Sequence, residues 1–227
     1  PERLPERFAA MPNVLITGAN RGIGLEFVRQ YAADGWTVIA TARETSDELD
    51  ALDIRVERLD MRDAAAVMQL GQSFATLDLL IANAGTYGPR NPVGADDAEA
   101  WAETFAVNTI APFLLAQAVR PAVERADGKL IAISTRMGSI ADNGSGGFVA
   151  YRSSKAALNM AWKSLAVDNP GMVCAVLHPG WAQTRMGGAA APLSPEDSVA
   201  GMRRVIDGLT EAQSGGFFSY DGSTIPW

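Results

Sequence analysis

Two side chains able to exchange a proton stand four positions apart, Tyr151 and Lys155, in the run Tyr151-Arg152-Ser153-Ser154-Lys155 that leads into an Ala-rich apolar segment. On a helix this spacing puts both on one face, one turn apart, so that phenol and ammonium can meet. A free phenol titrates near ~10, and a neighbouring cation favours the phenolate, which would let the pair pass a proton near neutral pH. Taken alone, the same spacing also describes two ordinary surface residues. The elements that would hold the pair therefore decide its meaning.

Those elements alternate. Residues 13–17 form an apolar strand that runs into Gly18-Ala19-Asn20-Arg21-Gly22-Ile23-Gly24 and then a helix over 25–33. Further strands are predicted at 36–42, 54–59, 77–82, 129–134, 172–177 and 216–220, with an acidic helix or loop over 46–52. Helices are predicted from Asp63, whose side chain can cap the first turn, toward Phe74, and over 98–120 with a kink at Pro112. The Tyr151 helix is expected to reach about Val167, and a last helix covers 198–209. Continuous apolar strands separated by helices predict an α/β fold, a doubly wound parallel sheet of the Rossmann type with helices on both faces. A single domain over 11–227 is expected, with the charged stretch 1–10 an extension outside it. In such a sheet the ligand lies beyond the carboxyl ends of the strands, where the chemistry-bearing residues of this chain all fall.

Composition narrows the function classes. The chain is 48% hydrophobic and 20% charged, which supports a well-buried interior. The net charge of -7, from 26 acidic and 19 basic residues without a basic run, argues against nucleic acid as a partner. No membrane partner is expected either, since no apolar stretch is read as approaching the ~20 residues of a span, and the protein is expected to be cytoplasmic. No metal site is expected. The single cysteine, Cys174, lies inside an apolar strand and is expected to be a buried, inert thiol.

Gly18, Gly22 and Gly24 sit between the first strand and the first helix, where missing side chains let backbone approach a phosphate and the helix N-terminus offers free amide donors. Dinucleotide, mononucleotide and adenosyl-methionine ligands are all compatible with that turn, and so is a plain tight turn. The ordered set Thr17 to Gly24, Asp60, Asn83-Ala84-Gly85, Asn108, Ser134, Tyr151-x-x-x-Lys155 and Pro179-Gly180-x-x-x-Thr184 resembles the motifs of the short-chain dehydrogenase/reductases, across nearly all of residues 11–227. Residues 139–141, 151–160 and 220–227 further resemble the sniffer-like carbonyl reductase and C-factor-like branch.

The resemblance implies a catalytic group of Asn108, Ser134, Tyr151 and Lys155. Tyr151 would be the general acid in carbonyl reduction, with Lys155 favouring the phenolate and bonding the nicotinamide ribose. Ser134 would donate to the substrate oxygen. Asn108, unfavourable in a helix interior, would hold a water that relays protons to Lys155. The implied cofactor set is Gly18, Asn20, Arg21, Gly22, Ile23, Gly24, Arg43, Asp60, Met61, Asn83, Ala84, Gly85, Tyr151, Lys155, Pro179, Gly180 and Thr184. Within it, Asp60 would accept from the adenine amino group, Gly85 would let backbone pass the adenine ribose, and Thr184 would contact the carboxamide. Asn83 reads as bracing the sheet, and His178 as a structural strand-end residue.

Cofactor choice rests on the end of the second strand. An acidic residue there favours NAD, whereas an arginine can pair with a 2'-phosphate. The chain has Thr41-Ala42-Arg43, with Arg21 placed to add a second guanidinium and Glu44 opposing both, so NADP(H) is expected over NAD(H). The expected activity is hydride transfer between NADP(H) and a carbonyl or secondary alcohol, with a cofactor-binding signalling or regulatory protein of the same fold as the alternative. Residues 86–93, 136–149 and 181–192 would wall the substrate pocket. The resemblance also implies a homodimer through the helices after Ala98 and Tyr151, or a tetramer.

Overall fold

Along the first strand, β1 (Asn13–Thr17), apolar side chains leave alternately toward two separate cores, Val14 and Ile16 to one face and Leu15 to the other. That two-sided demand is met by a parallel sheet covered on both faces. The computed structural model describes residues 11–92 and 94–227; the stretch 1–10, expected to be an extension, lies outside the described residues. The other strands are β2 (Thr37–Ala42), β3 (Arg55–Arg58), β4 (Leu79–Ala82), β5 (Lys129–Ile133), β6 (Val173–His178) and β7 (Gly216–Ser219). They form a seven-stranded sheet in the order β3-β2-β1-β4-β5-β6-β7, with every pairing parallel. The order reverses between β1 and β4, so a crevice opens beyond their carboxyl ends.

The helices are α1 (Gly22–Ala33), α2 (Asp47–Asp50), α3 (Ala64–Gln72), α4 (Ala95–Phe105), α5 (Ala111–Ala126), α6 (Val149–Asp168) and α7 (Pro195–Gly208). Phe27 and Val28 of α1 and Met202 and Ile206 of α7 cover one face of the sheet. Leu115 and Val119 of α5 and Leu158 and Trp162 of α6 cover the other, where Trp162 Nε1 donates to the Leu130 carbonyl at 3.1 Å. Cys174 is buried in this second core, and burial pushes its thiol up to about 12. Asp63 caps α3 as expected, accepting from the Ala66 amide at 3.0 Å.

Two sequence expectations change. The predicted kink at Pro112 is instead a π-helical turn, Ala106–Ile110, joining α4 to α5, with Pro112 at the opening of α5. Proline has no N–H to offer the carbonyl four residues earlier, that of Asn108, and the wider turn accommodates the loss. Second, the helical run Asp97–Ala126 does reach the length and apolar character of a membrane span. In this fold its apolar side chains Leu115, Ala116, Val119 and Val123 are buried against the sheet.

Candidate active site

Gly18 and Gly22 have φ of +66° and +53°, a left-handed backbone that other residues adopt at a cost, and they turn the chain from β1 into α1. A Cβ on Gly24 would lie 2.2 Å from the Gly18 carbonyl oxygen and 2.6 Å from Asn83 Nδ2, so the turn closes only over a bare α-carbon. Asn83 braces it, its amide donating to the carbonyls of Thr17 at 2.9 Å and Gly18 at 3.1 Å. Thr17 Oγ1 in return accepts from the amides of Asn83 and Ala84, both at 3.0 Å. The Arg21 side chain makes no capping bond to α1, which leaves the first-turn amides of that helix available to an anion.

The turn forms one end of a cavity of about 1040 Å³ at the carboxyl ends of the strands. Gly18, Asn20, Arg21, Gly22, Ile23, Gly24, Arg43, Asp60, Met61, Asn83, Ala84, Gly85, Pro179, Gly180 and Thr184 all line it, together with Ser134, Tyr151 and Lys155. Of the expected substrate walls, Thr86 to Pro89, Arg136, Met137, Trp181, Ala182 and Thr184 to Gly187 border it. A space of this volume, with bare glycine backbone and arginines at one end and proton-bearing side chains at the other, fits an extended dinucleotide.

Near the opposite end, Tyr151 and Lys155 project from the first turns of α6. They do not bond one another: Lys155 Nζ donates to the Ile133 carbonyl at 2.8 Å, and the Tyr151 hydroxyl donates to the Met186 sulfur at 3.9 Å. Burial raises the Tyr151 phenol well above its ordinary value; the neighbouring Tyr87 adds to the rise and the Thr135 hydroxyl opposes it. Burial lowers Lys155 to about 8. The expectation that lysine favours the phenolate is therefore not met in this state, because desolvation outweighs any help from the ammonium. Tyr151 stays protonated, the form a general acid requires.

Asn108 is fully buried in the π turn and its side chain is committed. Its amide donates to the Thr86 carbonyl at 2.8 Å and to Ser154 Oγ at 2.9 Å, and its Oδ1 accepts from the Thr86 amide at 2.8 Å. It thus pins the segment after β4 to α6. Gly85, expected beside an adenine ribose, instead faces Asn108 and Lys155: an added Cβ would lie 3.4 Å from Asn108 Oδ1 and 3.5 Å from Lys155 Nζ.

Ser134 requires the main correction. Its hydroxyl is buried and donates to Asn159 Oδ1 on α6 at 2.7 Å, and Asn159 in turn donates to the Gly138 carbonyl at 3.2 Å. The hydroxyl that interacts with Tyr151 belongs to the next residue, Thr135, which sequence reasoning missed. Thr135 Oγ1 accepts from the Met137 amide at 3.2 Å, capping a short 3₁₀ turn (Arg136–Gly138), and its own proton remains free to donate.

Asp60, Thr184 and His178 each have defined surroundings on the cavity wall. The Asp60 carboxylate is gripped by Arg62, with Oδ2 2.7 Å from Nη2 and Oδ1 3.1 Å from Nε, and these bonds hold it down at about 2. Thr184 turns its methyl toward Gly22, where an added Cβ would meet it at 3.2 Å, while its hydroxyl accepts from the Gly187 amide at 3.0 Å. His178 lines the cavity with an unpartnered, buried Nδ1, and burial lowers it to about 4. Tyr87 closes the substrate side, its ring edge-on to Tyr151 at 4.7 Å and its hydroxyl donating to the Met186 carbonyl at 3.0 Å.

Comparison with known proteins agrees with this geometry. The sequence model of the short chain dehydrogenase family matches residues 12–192. The chain is 46% identical over 154 residues to the protein named C-signal of Myxococcus xanthus, a match covering 66% of this chain and 93% of that one. Among solved structures, the carbonyl reductase Sniffer of D. melanogaster superposes with a TM-score of 0.87 at 33% identity, covering 96% of this chain and all (100%) of that one. A carbonyl reductase from Pseudomonas aeruginosa PAO1 in complex with NADP gives a TM-score of 0.86 at 35% identity, with coverage of 96% and 100%.

Proposed function

We propose that this chain, which belongs to the short-chain dehydrogenase family, is an NADP(H)-dependent reductase of carbonyl compounds. The observation that carries the reading is the buried Tyr151 hydroxyl at one end of a cavity whose other end is an uncapped helix N-terminus beside Arg21 and Arg43. NADP(H), when bound, supplies the hydride. Arg21 and Arg43 favour the form with the 2'-phosphate, since a guanidinium matches a phosphate oxygen pair. The NADP-bound structural relative supports the same choice.

In this reading Tyr151 Oη gives its proton to the carbonyl oxygen of the substrate as that oxygen gains charge. Thr135, in place of Ser134, donates the second hydrogen bond to the oxygen, because the Ser134 proton is given to Asn159 while the Thr135 hydroxyl acts on the phenol. Lys155, buried and held by Ile133, orients the ribose of the cofactor and replenishes the phenol proton. Asn108 acts by position: its side chain fixes the segment after β4 and ties it to α6 through Ser154. Met186 must leave the Tyr151 hydroxyl before a substrate oxygen can take its place.

Initial rates with NADPH and NADH against aldehydes, ketones and quinones test this. Turnover that prefers NADPH supports it, and equal or better use of NADH overturns the cofactor assignment. The likeness to C-signal favours a second reading, a cofactor-binding signalling or regulatory protein. It gains if the chain binds NADPH tightly and reduces none of the panel. Exposed Ile110, Met160 and Val167 on the outer surface of the paired helices support a homodimer through that face.

A further inference from the structure

Three guanidinium groups converge on the glycine-turn end of the cavity. Arg21 and Arg43 come from the turn itself and from the end of β2, and Arg185 comes from the loop after β6. All three are exposed side chains lining the same space, and none forms an ion pair among the described residues. Arg185 and Arg43 both act on Arg21 as like charges, countered in part by Glu44, and Asp60 stands near Arg43. Cations gathered around uncapped helix amides repel one another, and an anion that joins them is held by all of them.

The loop that carries Arg185 is built to hold it there. Thr184 sets its methyl against Gly22 and accepts from the Gly187 amide, the Gly188 amide donates to the Thr184 carbonyl at 2.8 Å, and Trp181 Nε1 donates to the Gly187 carbonyl at 2.8 Å. The turn is thereby closed on both sides of Arg185. The next residue, Met186, lies on the Tyr151 hydroxyl and is held through its carbonyl by Tyr87. Adjacent residues of one turn thus reach the two ends of the cavity.

We propose that Arg185 is a third arginine ligand for the phosphates of the dinucleotide, and that its engagement draws the 181–188 turn so as to lift Met186 from Tyr151. This rests on the cofactor reading above and extends it to a residue outside the glycine turn. Cofactor arrival would then expose the proton donor. The 2'-phosphate and the pyrophosphate are both within the chemistry of such a site, and they are separable by comparing the two cofactors.

Isothermal titration of the full chain with NADPH and with NADH, for wild type and Arg185→Ala, tests the assignment. Loss of about tenfold or more in NADPH affinity alone places Arg185 on the 2'-phosphate, and a similar loss for both cofactors places it on the pyrophosphate. Arg185→Glu should weaken binding further, and Arg185→Lys should restore part of it. Unchanged affinity for both cofactors in Arg185→Ala, with wild type binding normally, overturns the inference and leaves the cofactor reading intact. If wild type binds neither cofactor, both fail. For the coupled motion, NADPH should make Met186 of the wild type more reactive toward dilute peroxide, read by mass spectrometry of the peptide. No such increase, or the same increase in Arg185→Ala, overturns the coupling.

Discussion

The Ser134 hydroxyl donates to Asn159 Oδ1 at 2.7 Å, joining the end of β5 to α6 inside the protein. Ser134→Ala should therefore act on stability. It leaves a buried amide oxygen without its donor, at a cost of about 1–3 kcal/mol, with turnover largely kept below the melting temperature. Thr135→Ala should do the reverse, lowering kcat by roughly 10²–10³-fold with little change in Tm, and Thr135→Ser should recover most of the rate. Steady-state kinetics and thermal melts on the variants check both.

Gly24→Ala should disable the cofactor end. Its Cβ would meet the Gly18 carbonyl oxygen at 2.2 Å, so either the turn or Asn83 must move. We expect a loss of about 1–3 kcal/mol in stability together with loss of NADPH binding, measured by denaturant unfolding and calorimetry.

The one histidine gives a separable pH signal. Burial holds His178 near 4, below its ordinary value of 6.5, so between those values the unfolded chain binds a proton that the folded chain refuses. Stability should fall as pH drops through this window, by on the order of 3 kcal/mol at its lower end, and be fully present above it. His178→Asn should flatten that slope. The Asp60 contribution is present above 3.8 and is lost only as pH falls toward 2, so it lies outside the window. Urea unfolding between pH 4 and 7 reads the difference.

Met186 guards the proton donor, and shortening it should open the site. Met186→Ala is expected to raise kcat/KM for bulky ketones relative to small aldehydes, because the thioether no longer competes for the Tyr151 hydroxyl. A uniform change across both substrate classes would contradict that role.

Much of this arrangement can be read in the residues. The strand runs, the glycine turn, the Asp63 cap and the bracing by Asn83 each follow from a local rule that the tertiary structure obeys. The choice between Ser134 and Thr135 was harder, since adjacent strand residues point to opposite faces and both faces of β5 are apolar. The alternation does hold the answer: Leu130 and Ala132 pack in the core with Trp162 of α6, and Ser134 continues that side. Parity alone does not say which face carries the phenol. The protonation of Tyr151 and Lys155 was beyond the spacing argument because burial, which spacing does not contain, dominates both. Met186 and Arg185 lie on a loop whose path is set by contacts with Gly22, Tyr87 and Tyr151, residues far away in sequence.

The most direct test compares NADPH-dependent carbonyl reduction by wild type and Tyr151→Phe, with NADPH affinity measured on both. Loss of the proton donor should lower kcat by roughly 10²–10⁴-fold while the dissociation constant for NADPH stays within a few-fold. A Tyr151→Phe protein that reduces the same carbonyl compounds at the wild-type rate would contradict the assignment of Tyr151 as the general acid.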